Sequence, residues 1–146
     1  MKRSLRWFLR TPGERRGPLM AMPWAAFVAD LGFTLLGQPD AYWQGDYTAH
    51  REANPVGQWW LAWHPLAFAA AGLIYGLLMT GLIYAAARWL ACWIAVAWTI
   101  AHLTGAMSWV PYISPDFNTH TLVHNAFAVW IAACLWLQLR FASRTQ

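Results

Sequence analysis

The chain has 146 residues, of which 59% are hydrophobic and only 11% charged, far below the quarter or so expected of an ordinary soluble domain. Twelve tryptophans and this apolar content exclude such a domain, and two cysteines are too few for a disulfide framework. The formal charge of +4 would suit a nucleic-acid partner, but its placement along the chain assigns it to membrane topology instead, and no nucleic-acid role is expected.

Residues 1–17 form a basic arm, with Lys2, Arg3, Arg6, Arg10, Arg15 and Arg16. The arm lacks the apolar core and small-residue cleavage site of a signal peptide, so it reads as a cytoplasmic topogenic tail. Residues 18–36 are expected to form the first span, short and interrupted by Pro23 and Asp30. A bilayer core calls for ~20 residues, which this stretch just meets. Residues 37–63 are turn-rich and polar and predict an outer loop, whose last stretch, rich in Trp59, Trp60 and Trp63, suits the membrane interface.

His64-Pro65 opens the second span, about 64–87. It carries Gly72 and Gly76, a small-residue stripe that permits close helix contact within the chain or with a partner. A short turn near Arg88 leads to the third span, 89–110, and the prolines at 111 and 115 are expected to end it. Residues 119–139 predict a fourth span, and residues 140–146 a tail with Arg140 and Arg144. Residues 18–139 thus form one membrane domain. Cys92 and Cys134 fall inside apolar runs and read as buried thiols.

Nine of the ten Lys and Arg residues lie in the arm, the Arg88 turn or the tail, while Asp40, Asp46, Glu52 and Asp116 lie on the opposite side. Cytoplasmic segments of membrane proteins are enriched in Lys and Arg. The expected fold is therefore all-α, a polytopic four-transmembrane-helix bundle with N-in/C-in topology, placed in the cell (inner, cytoplasmic) membrane among lipids.

The chemistry-bearing residues cluster in the outer half. Helical rise of ~1.5 Å per residue puts Asp30 roughly 10 Å, His102 roughly 12 Å and His124 roughly 8 Å below the ends of their spans. Small and polar residues at helical spacing form one line in each helix: Ala26, Asp30 and Thr34; Ala91, Ala95, Thr99, His102 and Ala106; His120, His124, Ala128 and Ala132. Such faces pack together in lipid, so Asp30, His102 and His124 are expected to meet.

Three chemistries compete for this cluster. Asp30, His102, His120 and His124 supply a carboxylate and three imidazoles, a set suited to zinc, with Glu52 as general base for a metal-bound water in an outer-leaflet hydrolase. A structural hydrogen-bond network would instead tie the bundle. Haem b or quinone binding through two histidines is the third. The small size, the minimal soluble parts and the Gly72/Gly76 stripe favour an accessory subunit of a larger membrane complex, with other membrane-protein subunits as partners; the metal-dependent hydrolase and the haem or quinone subunit are the alternatives.

At Asp30 and Thr34 in the first span, followed by Glu52-Ala53-Asn54-Pro55 before the second, the chain resembles a group of small bacterial multi-span membrane proteins of unknown function. The resemblance covers about residues 30–66, under a third of the chain, and implies no activity. The aspartate with the His120/His124 pair is also similar, as chemical analogy, to the metal site of seven-span ceramidase-type hydrolases.

Overall fold

The computed structural model describes residues 16–114 and 116–143. The basic arm through Arg15, Pro115, Arg144 and the Cys134 side chain lie outside the described residues. Among those described, the chain is helical with no strand: α1 (Gly17–Leu36), α2 (Asp40–Trp43), a 3-10 turn (Tyr47–Ala49), α3 (Pro55–Trp63), α4 (Pro65–Ala85), α5 (Arg88–Ile113) and α6 (Phe117–Ser143). Three of these are long and apolar enough to cross a membrane: α1 over Leu19–Leu36, α4 and α5. The most apolar, α4, has only 11% of its span buried inside the bundle, so most of its surface faces away from the other helices.

Helix α1 packs most extensively on α5, and α6 packs on α5 with a smaller contact to α1. Small residues make the first contact possible: Ala26, Ala91, Ala95 and Ala106 are fully buried, and without bulk the backbones approach closely. Helix α4 meets α1 through its glycine stripe. A Cβ on Gly72 would lie 2.9 Å from Leu31 Cδ2, and one on Gly76 would lie 2.8 Å from Trp24 Cη2 and 3.0 Å from Phe27 Cε1. The Trp24 indole N–H donates to the Thr80 hydroxyl at 3.0 Å, which in turn donates to the Gly76 carbonyl at 2.8 Å. At the opposite end from the long loop, the buried Arg16 guanidinium donates to the Ile83 carbonyl. It thereby satisfies one of the carbonyls that the last turn of α4 leaves without an intrahelical partner.

The 37–63 loop is a folded cap. Tyr42 is fully buried, and its hydroxyl donates to the Leu61 carbonyl at 3.1 Å. Burial pushes its phenol above the ordinary value, and the neighbouring Tyr47 adds to the shift. Gln38 bridges the loop to α1, donating to the Thr34 carbonyl at 2.8 Å and accepting the Arg51 N–H at 2.9 Å. Gly37 is required by close approach: a Cβ there would meet Trp109 Cε3 at 2.4 Å. His64 breaks α3 from α4 in extended backbone, and its Nδ1 accepts the Leu66 N–H at 3.1 Å.

Two boundaries differ from expectation. Helix α5 runs through Pro111 to Ile113 instead of stopping at residue 110. Proline removes one amide donor, toward the Met107 carbonyl, and in a final turn that loss is tolerated. Helix α6 starts at Phe117, before residue 119, because Asp116 caps it: its Oδ2 accepts from the Thr119 N–H at 2.9 Å and the Thr119 hydroxyl at 3.0 Å. These bonds, the backbone one first, hold the Asp116 carboxyl below its usual range. The cap is therefore at full strength above the ordinary carboxylate pKa and is lost as pH falls through the lowered one. The Thr119 amide resonance is expected to titrate with a midpoint below 3.8, and Asp116→Asn to abolish that titration. A midpoint at or above the ordinary value would show that the cap does not form.

The described tryptophans differ in exposure, with Trp24, Trp60 and Trp130 half-buried. Trp43, Trp59, Trp63, Trp89, Trp93 and Trp136 are more than half exposed, as an interfacial belt requires, whereas Trp98 and Trp109 are buried. Trp98 sits among Trp24, Phe27 and Tyr75, at ring-centroid distances of 5.9, 5.7 and 6.2 Å.

Candidate functional site

The inward lines of α1 and α5 bring two ionisable groups together. His102 Nδ1 and Asp30 Oδ2 lie 2.6 Å apart. With the carboxylate as acceptor, Nδ1 carries the proton and donates, which leaves Nε2 as the open nitrogen of the ring. The side chains are 18% exposed for His102 and 20% for Asp30, so the pair is largely but not fully buried.

Room for the carboxylate comes from a glycine. A Cβ on Gly105 would lie 2.6 Å from Asp30 Oδ1 and 2.7 Å from Oδ2. Gly105 follows His102 by three residues and so shares its face of α5. Three helices supply aromatic walls to the imidazole. Phe27 of α1 meets it edge-on at 4.9 Å and 79°, Tyr75 of α4 lies at 5.9 Å, and Trp98 of α5 at 6.2 Å. Edge-to-face contacts of this kind add to burial alone. The sequence reading passed over Gly105, Phe27, Tyr75 and Trp98. Only the His102-to-Gly105 spacing gave a signal, since a glycine one turn from a buried histidine marks a close approach.

The other histidines are placed elsewhere. His120 Nε2 donates to the Ser114 carbonyl at 2.6 Å, tying the start of α6 to the end of α5. His124 is exposed, and its Nδ1 donates to the His120 carbonyl at 2.8 Å, one turn back in its own helix. Among the described residues no three His, Cys, Asp or Glu side chains are placed to share a metal ion. The expected set of Asp30, His102, His120 and His124 therefore does not converge.

The reason is the rotation of α6. Phe127 is buried in its contact with Leu103, Ala106 and Ala26, and Val123, Trp130 and Ile131 pack beside it. Against lipid the gain comes from close packing of the ring on small and aliphatic neighbours. That apolar stripe turns His124, Ala128 and Ala132 outward, where all three are exposed. The outward turn also keeps His102 and His124 from facing one slot, as a bis-histidine haem would need.

Glu52 lies in the turn that starts α3. Its Oε1 accepts the Asn54 N–H at 2.7 Å, Asn54 Oδ1 accepts the Val56 N–H at 3.0 Å, and the Gln58 amide donates to the Glu52 carbonyl at 2.8 Å. The Glu52-Ala53-Asn54-Pro55 stretch thus builds a helix cap, with Pro55 in the first turn, where a missing N–H costs nothing.

What remains at the centre is an aspartate–histidine pair with an aromatic surround. Such a pair fixes the tautomer of the ring and leaves Nε2 able to accept a hydrogen bond or bind a ligand. Comparison with known protein families, with curated proteins and with solved structures returns no match.

Proposed function

We propose that this chain is a four-span membrane protein of the cytoplasmic membrane, with both termini inside, acting as a small accessory subunit of a larger membrane complex. Helix α6, with 27 residues, is the fourth span in this reading. The one-sided Lys and Arg distribution supports the orientation. The exposed leucines and isoleucines of α4 (Leu66, Leu73, Ile74, Leu77, Leu78 and Leu82) are what a lipid-facing helix presents.

The observation that carries the subunit reading is the outward face of α6. His124 and Asn125 are exposed on it, next to the small residues Ala128 and Ala132. Polar side chains turned to lipid are costly, whereas a partner helix seated on a small-residue face can hydrogen-bond them. The test is purification in a mild detergent. A second polypeptide is expected at fixed stoichiometry, and the paired changes His124→Leu and Asn125→Leu should release it while leaving the chain folded. A monodisperse monomer from native membranes would overturn the reading.

A further inference from the structure

We propose that the partner on the outward face of α6 is a second copy of this chain, docked head to tail, with α6 of one copy seated on the outward face of α5 of the next. This rests on the reading of α6 as a span with a partner-binding face, and it names that partner.

Helix α5 has a face that nothing among the described residues covers. Ala97, Ala101, Thr104 and Ser108 are all exposed and recur at intervals of four, three and four residues, so they form one seam along the helix. They point away from Ala95, Thr99, Leu103 and Ala106, which are buried within the chain. On α6 the exposed residues Thr121, Asn125, Ala128 and Ala132 repeat the same spacing.

The two seams also match in depth. Copies in one membrane share orientation and level, so a seam can meet its counterpart only where the levels agree. Helices α5 and α6 run in opposite directions, and their facing ends are Ile113 and Phe117. Counted from those ends, Ser108 is level with Thr121, Thr104 with Asn125, Ala101 with Ala128 and Ala97 with Ala132. Each match holds to one residue, or ~1.5 Å. Polar residues therefore meet polar ones in the outer half, and alanine meets alanine deeper in the span.

The hydrogen-bonding capacities are complementary as well. The Thr104 hydroxyl donates to the Ile100 carbonyl at 2.9 Å, and the Ser108 hydroxyl to the Gly105 carbonyl at 2.6 Å. Each thus spends its proton within its own helix and keeps lone pairs for an incoming donor. The exposed Asn125 amide has no hydrogen bond among the described residues and can supply that donor. Lipid chains offer it no acceptor. The paired alanines let the two backbones approach closely. Every copy carries both halves of this match, so the contact is heterologous: each copy offers α6 to one neighbour and α5 to another.

The test is disulfide cross-linking in native membranes between two differently tagged full chains, both with Cys92 and Cys134 replaced by serine. One carries Ala101→Cys and the other Ala128→Cys, which leaves Thr104 and Asn125 intact. Oxidation with copper phenanthroline should give a product bearing both tags. Ala97→Cys with Thr121→Cys should give at least ~5-fold less, because their levels differ by roughly 16 Å and a disulfide spans only ~7 Å between Cα atoms. Adding Asn125→Leu to the matched pair should lower its yield about tenfold, the loss of roughly one hydrogen bond. Adding the exposed Leu122→Ala should not. The wild-type chain in mild detergent should have a mass that includes two or more copies, so a variant that fails to fold does not remove the test. Equal yields from matched and offset pairs, or more product from Ala128→Cys on both chains than from the matched pair, would overturn the head-to-tail contact. Capture of a different polypeptide at Ala128→Cys with no product between copies would also overturn it, while leaving the subunit reading standing. A lone wild-type monomer would overturn both.

Discussion

Gly76→Leu is expected to separate α4 from α1 and to lower stability by about 3 kcal/mol, the upper part of the range for overpacking a filled contact. Even a Cβ there would press on Trp24 and Phe27 at 2.8 and 3.0 Å. Neither ring can retreat freely. Trp24 is held by its bond to Thr80, and Phe27 is packed edge-on against Trp24 at 5.6 Å and against His102 at 4.9 Å. The effect should therefore reach the Asp30–His102 pair. Gly81 of the same helix has nothing within 4 Å of where its Cβ would stand. Gly81→Ala should be neutral or stabilising by up to ~1 kcal/mol, because alanine is the better helix former. Thermal unfolding in one detergent compares the two. Equal tolerance would mean that the glycine stripe does not pack within the chain.

The second large effect concerns the pair itself. Asp30→Ala removes the acceptor of His102 Nδ1, and His102→Ala removes the donor to Asp30 Oδ2. Each should cost ~1–3 kcal/mol, since a largely buried polar group is left unpaired. The double variant should cost less than the sum by at least ~1 kcal/mol, as contacting partners do. Additivity within ~0.5 kcal/mol would show that the two side chains do not interact. The experiment compares differences in unfolding free energy under one condition, so the detergent contribution cancels.

These two regions were legible in the sequence to different degrees. The inner faces of α1 and α5 could be read because each holds a single candidate line. Ala26 and Asp30 do meet α5, Thr34 is buried, and Ala91, Ala95, Thr99 and Ala106 are buried where expected. Helix α6 holds two competing lines, one small and polar through His124, the other apolar through Phe127. The small-residue rule selected the first, and the volume of Phe127 against Leu103 and Ala106 selected the second. Spacing within one helix cannot decide between them, because the outcome depends on the shape of the facing helix. The burial of Trp98 was not legible for a related reason: its partners Trp24, Phe27 and Tyr75 come from two other helices. The proline at 111 was weighted as a helix end, yet a final turn can lose one hydrogen bond without ending there. The Glu52-to-Pro55 stretch was visible as a motif. Its role as a cap needed the positions of Gly57 and Gln58, which lie in the helix it starts.

The account stands on four helices crossing the membrane with the 37–63 loop outside. Cysteine accessibility tests this most directly. On a background with Cys92 and Cys134 replaced by serine, an impermeant thiol reagent is expected to label Asp46→Cys in intact cells, since that loop position is exposed. It should label Ser143→Cys, at the end of α6, only after lysis. Labelling of Ser143→Cys from outside would mean that α6 does not cross the membrane. Protection of Asp46→Cys in intact cells would place the loop, and the face nearest the Asp30–His102 pair, on the cytoplasmic side; either result would contradict the account.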